Sequence, residues 1–330
     1  MADINKKNPA YKAEDSVSDP DRRKFLGASL GAAAIGGMAI MNGRSASAQE
    51  LELPDLPTKD WRTLKPGPYD TNMYAETTGI PEDAQTTWWE GRNMGGVAIG
   101  IVRFQANLPM IPGNMGNATT FDYPVVYVEG QYKNAAEIIA AEPAEDFTRA
   151  TVEACKWLEL QGVRAITTNC GFYATYQNVV QEQIDTPFYS SSLVQLPMMV
   201  NSTPRGKKVG VLTANGGLLK NGPTLRYSGL SDAQIARVEV EGLESDEGFN
   251  AVLGLSGALD PNVVQRAVLD GIERLMKREP NLGSILLECT ELAPSAREVQ
   301  EMSKLPVWDF TTLTDWMYSG AVRRDFTGHI

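Results

Sequence analysis

The chain has 330 residues, a formal net charge of −11, three cysteines and one histidine, His329. Such an acidic chain is poorly suited to nucleic acids or anionic membranes, which select basic patches. With no other histidine, no C-x-x-C pair and no Walker or G-x-G-x-x-G loop, the sequence argues against Ser-His-Asp or Cys-His catalysis, and we expect no metal and no cofactor.

The N-terminal segment has the features of an export signal. The stretch "DPDRRKFLG" carries the pair Arg22-Arg23, and an apolar Gly/Ala-rich stretch then runs to the small residues "ASA" that end at Ala48. This order predicts a twin-arginine signal peptide over residues 1–48, cleaved after Ala48, with the twin-arginine translocase as a transient partner and a periplasmic mature protein. A membrane anchor is the alternative, but the apolar stretch is only about 16 residues where a span needs about 20.

Removing that peptide takes away seven basic and five acidic residues, so the net charge falls from −11 to −13. Residues 49–94 are rich in Pro, Asp, Thr and Trp without a clear period, and we predict an extended arm over the domain. The rest is long enough for one large or two medium domains.

Residues 95–205 predict a first α/β lobe. A helix is expected over 144–162, where apolar residues recur at helical spacing up to Gly162. Four apolar segments predict strands: 96–104, 124–130, 163–170 and the short 186–192.

The same order restarts in residues 206–330, the predicted second lobe, whose C-terminal helix is allowed to pack back on the first lobe. Strands are expected at 208–215, 237–243, 284–289 and 305–310, and a helix at 261–281. Alternating strands and helices predict an α/β fold of two pseudosymmetric, Rossmann-like lobes with parallel sheets. In each half a long helix leads into a strand that ends in a cysteine, Cys170 or Cys289. Since ligands bind outside the carboxyl ends of parallel strands, both cysteines are expected to line an active site in the inter-lobe cleft.

Two facing thiols can act on one carbon. As thiolate, one removes a proton next to a carboxylate, and the other delivers a proton to the opposite face. A thiol pKa near 8.5 can be tuned towards the working pH, and backbone N–H groups can stabilise the anion without metal or cofactor.

The motifs "TTNCGF" and "LLECTELAP", with "GVLTANGG", resemble the active-site segments of the aspartate/glutamate/hydantoin racemase superfamily. The segments "RFQANLPMIPGNMGNATTFDYPVVY" and "CGFYATYQ…PFYSSSLVQLP" resemble its racemase-like sub-branch, close to the algal dimethylsulfoniopropionate lyases. The resemblance covers about residues 95–325. It implies a two-lobed fold, no cofactor, a homo-oligomer, and Cys170 and Cys289 as the acid/base pair. The chain departs from the aspartate and glutamate racemases at Gly171-Phe172 and at Glu291, where a histidine is often found.

Each candidate also has a structural interpretation. Cys170 and Cys289 could be buried or disulfide-bonded, and Cys155 is expected in a helix core. Thr290 is a candidate oxyanion donor or a helix N-cap, and Gly171 allows close backbone approach. Asn114, Asn117 and Asn215 could contact the substrate or simply shape turns. Four aromatic residues are expected in the core or cleft wall, with cation–π contacts to a sulfonium or ammonium as the alternative: Phe172, Tyr173, Tyr176 and Tyr189.

Our leading hypothesis is a cofactor-independent racemase or epimerase of an amino acid or related carboxylate. The alternative within the superfamily is β-elimination of the dimethylsulfoniopropionate lyase type, and decarboxylation is a third chemistry. The alternative from another class is a periplasmic solute-binding protein, which predicts binding without turnover.

Overall fold

The structure is a computed structural model that describes residues 94–104, 106, 108–255, 257–324 and 326. The predicted signal peptide, nearly all of the predicted arm and His329 lie outside these residues. None of the described helices is long and apolar enough to cross a membrane.

The first sheet contains four parallel strands in the order β2-β1-β3-β4. The strands are β1 (Ile99–Arg103), β2 (Val125–Glu129), β3 (Ala165–Thr168) and β4 (Phe188–Tyr189). The central strand β1 pairs with β2 and β3, and Ile99 lies opposite both Val125 and Ala165. Because β1 is covered on both faces, its sequence is apolar from Ile99 to Val102 rather than alternating.

The second sheet repeats this order as β6-β5-β7-β8. Its strands are β5 (Lys208–Thr213), β6 (Val238–Gly242), β7 (Leu282–Leu287) and β8 (Val307–Trp308). In chain order, β1 and β5 are the first strands of their sheets, and β4 and β8 are the last. The strands β3 and β7 are equivalent, because each lies between the first and the last strand of its own sheet. The predicted α/β fold with two parallel sheets is therefore confirmed.

Ten α-helices flank the sheets in the described part of the chain. They are α1 (Glu145–Gln161), α2 (Gln177–Gln181), α3 (Leu196–Ser202), α4 (Gly216–Asn221), α5 (Thr224–Tyr227), α6 (Asp232–Ile235), α7 (Asn250–Leu253), α8 (Pro261–Arg278), α9 (Ala296–Ser303) and α10 (Phe310–Ala321).

The two long helices begin where their sequences predict to within one residue, and the second ends at Arg278, three residues before the predicted end at 281. Helix α1 stops at Gly162, which takes the left-handed conformation. Helix α8 starts with Pro261 after Asp260, whose side chain accepts a hydrogen bond from the backbone of Asn262.

A glycine in the central strand lets each long helix pack closely on its sheet. A Cβ at Gly100 would lie 2.9 Å from Leu158 of α1, and one at Gly210 would lie 2.9 Å from Leu275 of α8. The absence of a side chain at each glycine therefore allows the helix to pack directly on the strand, and this contact is the same in the two halves.

The last helix, α10, packs on the first sheet although it follows the second. Its Phe310, Leu313 and Met317 are buried in one cluster with Ile99 and Ile101 of β1. The C-terminal helix, which follows the second lobe in the chain, thus buries its apolar face against the central strand of the first lobe.

Candidate active site

Two of the three cysteines occupy equivalent places in the two sheets. Cys170 follows β3 with Asn169 between them, and Cys289 follows β7 with Glu288 between them. Both cysteines therefore lie at the carboxyl ends of equivalent strands, the edge at which open α/β sheets bind ligands.

The residue before each cysteine ties its strand end to the neighbouring strand. The Asn169 side chain accepts a hydrogen bond from the backbone N–H of Phe104 at 2.6 Å, just beyond β1. The Glu288 carboxylate accepts one from the backbone N–H of Ala214, just beyond β5. The two halves thus repeat one arrangement, with a neutral amide in the first lobe and a carboxyl in the second.

Neither cysteine forms a disulfide, and each is half-buried. Loss of solvent, followed by the charge of Glu288 and then that of Glu291, raises the pKa of the Cys170 thiol to about 12. The same causes, with a smaller contribution from Cys170, raise the pKa of Cys289 well above its usual value. Because the same two carboxyls act on both sulfurs, and Cys170 also acts on Cys289, the two thiols share one site.

A backbone amide opposes this rise at each sulfur. The N–H groups of Phe172 and Glu291, each two residues beyond its cysteine, favour the thiolate and so lower the thiol pKa. This effect is smaller than the loss of solvent, so the expectation that a thiol pKa is tuned down towards the working pH is not met.

The Glu288 side chain crosses from the second lobe to the first. Its Oε2 accepts a hydrogen bond from the Thr213 hydroxyl at 2.7 Å, and it is 1% exposed. A Cβ added at Gly171 would lie 1.6 Å from its Oε1, so only glycine can follow Cys170 here. Burial raises the pKa of Glu288 to about 7, against the lowering effect of the hydrogen bonds from Thr213 and Ala214.

Glu291 is a second buried carboxyl beside the thiols. It is 7% exposed, and burial raises its pKa to about 7 although the Asn114 side chain lowers it. The Asn114 Oδ1 accepts hydrogen bonds from the backbone N–H of Gly116 and from the Thr290 hydroxyl, so its amide group is held in one orientation.

Thr290 links the two lobes rather than capping a helix. Its hydroxyl accepts a hydrogen bond from the backbone N–H of Met115 at 2.9 Å, and the short helical turn Ala293–Ser295 begins beyond it. The N-cap interpretation is therefore wrong, because the hydroxyl faces the loop after β1. Whether Thr290 also contacts a substrate stays a prediction.

The other predicted site residues fall in three places. Phe172 and Asn215 line a groove of about 510 Å³ between the turn after Cys170 and α4, in which Asn215 also caps α4. Tyr173 is fully buried, and its hydroxyl contacts that of Tyr132 close to Cys170. Asn117 caps a turn at Thr119 and donates to the backbone of Met110, so its polar atoms are used locally.

The remaining two aromatic candidates lie apart from the cysteines. Tyr176 is fully buried and donates to the backbone of Glu137. Tyr189 packs edge-on against Trp316, with ring centroids 5.4 Å apart, and lines a separate groove. Cys155 is fully buried in the core of the first lobe, as its helical position predicted.

Sequence reasoning did not single out Glu288. The signal was present, since "LLECTE" places two acids around one cysteine, and acids inside an apolar strand end are rarely buried without a reason. What the sequence did not show was the contact with Gly171 from the other lobe.

The fold and the site define a two-lobed α/β protein with a thiol pair at equivalent strand ends. Its sequence relatives include dimethylsulfoniopropionate lyase 7 of Emiliania huxleyi, 28% identical over 65% of this chain. The dimethylsulfoniopropionate lyase of Durusdinium sp. clade D is 27% identical over 70% of this chain and 77% of its own length. The predicted kinship with the algal dimethylsulfoniopropionate lyases is therefore confirmed.

The match with the Emiliania protein spans 64% of that protein's own length. Among solved structures, allantoin racemase from Pseudomonas fluorescens is similar with a TM-score of 0.47, at 16% identity, covering 69% of this chain and 91% of its own. No family model matches the chain.

Proposed function

We propose that this chain is a cofactor-independent enzyme that removes a proton next to a carboxylate, with Cys170 and Cys289 as its acid/base pair. The observation that carries the proposal is the equivalent placement of the two thiols, each directly beyond the carboxyl end of the corresponding strand in its sheet. A solute-binding protein has no need for such a pair.

The reaction that we favour is β-elimination from a sulfonium carboxylate of the dimethylsulfoniopropionate type, because the chain's sequence relatives are lyases of that compound. One thiolate takes the α-proton, and the electrons of that C–H bond form the new C=C bond. The C–S bond breaks, and dimethyl sulfide leaves with its electron pair. The products are acrylate, dimethyl sulfide and the protonated thiol.

Racemisation or epimerisation is the second candidate, supported by the presence of two thiols rather than one. Elimination needs a single base, whereas inversion needs a base on one face and an acid on the other. The pseudosymmetric strand ends that carry Cys170 and Cys289 would supply both.

Proton NMR in D₂O would test these reactions on one panel: dimethylsulfoniopropionate, aspartate, glutamate, a hydantoin and an arylmalonate. Vinyl protons of acrylate are the expected result. Deuterium exchange at the α-carbon without loss of substrate would instead support racemisation. Elimination predicts that at least one of Cys170→Ser and Cys289→Ser loses turnover, and racemisation predicts that both do, while the matched Cys155→Ala should retain it. Turnover that survives both serine variants would refute the thiol mechanism.

We also propose export by the twin-arginine pathway and a homo-oligomeric mature protein. Mass spectrometry of the exported protein should show Gln49 as the first residue, and the retention of Lys6 would contradict this. Light scattering of the mature chain would test its oligomeric state.

A further inference from the structure

The site next to the two cysteines carries unbalanced negative charge. Among the described residues, neither Glu288 nor Glu291 has a basic partner, although both are buried. The other buried acids are compensated: Glu241 contacts both Arg274 and Arg278, whereas Glu159 and Asp309 accept hydrogen bonds from backbone N–H groups. A buried charge without a partner is costly, so the two unpaired carboxyls require a separate explanation.

An unused polar atom accompanies these carboxyls. The Glu288 Oε1 is buried and has no hydrogen-bond partner among the described residues, and Glu288 is 1% exposed. Because buried polar atoms are nearly always hydrogen-bonded, this unpaired oxygen indicates a site that is built to hold a further group.

The position of the carboxyls relative to the thiols defines that group. The Glu288 Oε1 lies against Gly171, the residue after Cys170, and Glu288 and Glu291 stand one and two positions from Cys289. In a β-substituted propionate the β-substituent atom is about 2.5 Å from the α-carbon, since two single bonds separate them. A substrate whose α-carbon contacts a thiol therefore places a β-onium group within reach of the same carboxyls.

A positive group there would also assist the chemistry. The carboxylates oppose thiolate formation, and a cation between them and the sulfur would cancel that opposition. The thiolate would then form when a cationic substrate is bound, and a neutral carboxylate of the same shape would gain neither effect.

We propose that Glu288 and Glu291 select a zwitterionic substrate by holding its positive group, a sulfonium or an ammonium, beside the α-carbon on which Cys170 and Cys289 act. This specificity rests on the proposed function for the identity of the reacting carbon. It assigns Glu288 and Glu291 to substrate recognition, and Asn114 to orienting Glu291.

Two ligands of the same shape, one with a positive β-substituent and one with a neutral β-substituent, would separate the effect of charge on binding from that of shape. The probes are 3-(trimethylammonio)propionate, with a poor leaving group, and 4,4-dimethylpentanoate, in which carbon replaces nitrogen. Calorimetric titration of the full mature chain at pH 8.5 should give at least tenfold tighter binding of the cationic probe. Glu288→Gln and Glu291→Gln should each weaken binding of the cationic probe at least tenfold. Their affinity for the neutral probe should stay within twofold of that of the unmodified chain. The exposed Glu153→Gln is the matched control and should change neither affinity.

Equal affinity for the two probes, binding of neither, or a preference that survives the Glu288→Gln, Glu291→Gln double variant would overturn the inference. Circular dichroism on each variant separates loss of fold from loss of recognition, and the neutral probe reports an intact cleft. The probes need no turnover, so a cation preference without elimination would refute the lyase reaction alone. Elimination without a cation preference would refute this inference alone.

Discussion

The contact between Gly171 and Glu288 gives the sharpest test of the site's architecture. In Gly171→Ala the new Cβ would lie 1.6 Å from Oε1, 2.2 Å from Cδ and 2.6 Å from Cγ of Glu288. The carboxyl must then move, and the hydrogen bonds from Thr213 and Ala214 to it are lost or lengthened. Hydrogen bonds to a charged group contribute about 1.5–3 kcal/mol each, so we expect the free energy of unfolding to fall by about 2–4 kcal/mol.

Urea denaturation followed by circular dichroism measures this loss, and a double-mutant cycle assigns it. Glu288→Ala removes all three atoms that the new Cβ would meet, so Gly171→Ala should cost under about 1 kcal/mol in that background. Gly320→Ala in α10, where a Cβ meets nothing within 4 Å, is the matched control and should be neutral or slightly stabilising. An equal cost of Gly171→Ala with and without the Glu288 side chain would refute the proposed contact.

Three further predictions concern protons and the lobe contact. The folded pKa of Glu288 is raised from 4.5 to about 7, so the folded state binds the extra proton and stability falls as the pH rises through that window. Between pH 4.5 and 8 this proton should account for about 3 kcal/mol of lost unfolding free energy, and Glu288→Gln should abolish that part of the loss in urea denaturation. An unchanged dependence of the unfolding free energy on pH would contradict the raised pKa. Iodoacetamide alkylation of Cys170 should still accelerate above pH 9, since its pKa is about 12, and a plateau near pH 7 would be inconsistent with that value. Thr290→Val leaves the Met115 N–H without its acceptor and should cost about 1–3 kcal/mol, against under about 0.5 kcal/mol for the exposed Thr119→Val. Equal costs in these two variants would argue against the hydrogen bond.

The strands and long helices could be predicted because local chemistry specifies them. The buried strands are continuous apolar segments, and α8 carries its start signal in Asp260-Pro261. The predicted strand ends were too long by one to three residues at several positions. At β3, for example, the strand ends at Thr168 where the apolar pattern suggested Cys170. Backbone pairing ends where the neighbouring strand ends, and the sequence of one strand does not contain that information.

The positions of Cys170 and Cys289 were also within reach of the sequence, because both follow apolar segments in a repeated order. The roles of Asn117 and Tyr176, by contrast, could not be predicted from the sequence. Asn117 has the residue type of a ligand-binding amide, yet its polar atoms are used by its own turn. Whether an amide faces the cleft or the backbone depends on the path of the loop, and a single sequence leaves that undecided.

The sequence by itself determined the α/β class, the parallel sheets and the two thiols at strand ends, since apolar periodicity, caps and stop signals act over a few residues. Only the tertiary structure decided that Glu288 of one lobe packs against Gly171 of the other, and that the Thr290 hydroxyl accepts a hydrogen bond from the Met115 N–H. These contacts join residues more than a hundred positions apart, and the burial that raises the pKa of Glu288 and Glu291 exists only when the lobes meet. Burial and charge are properties of that assembled environment, so they cannot be read from the residues one at a time.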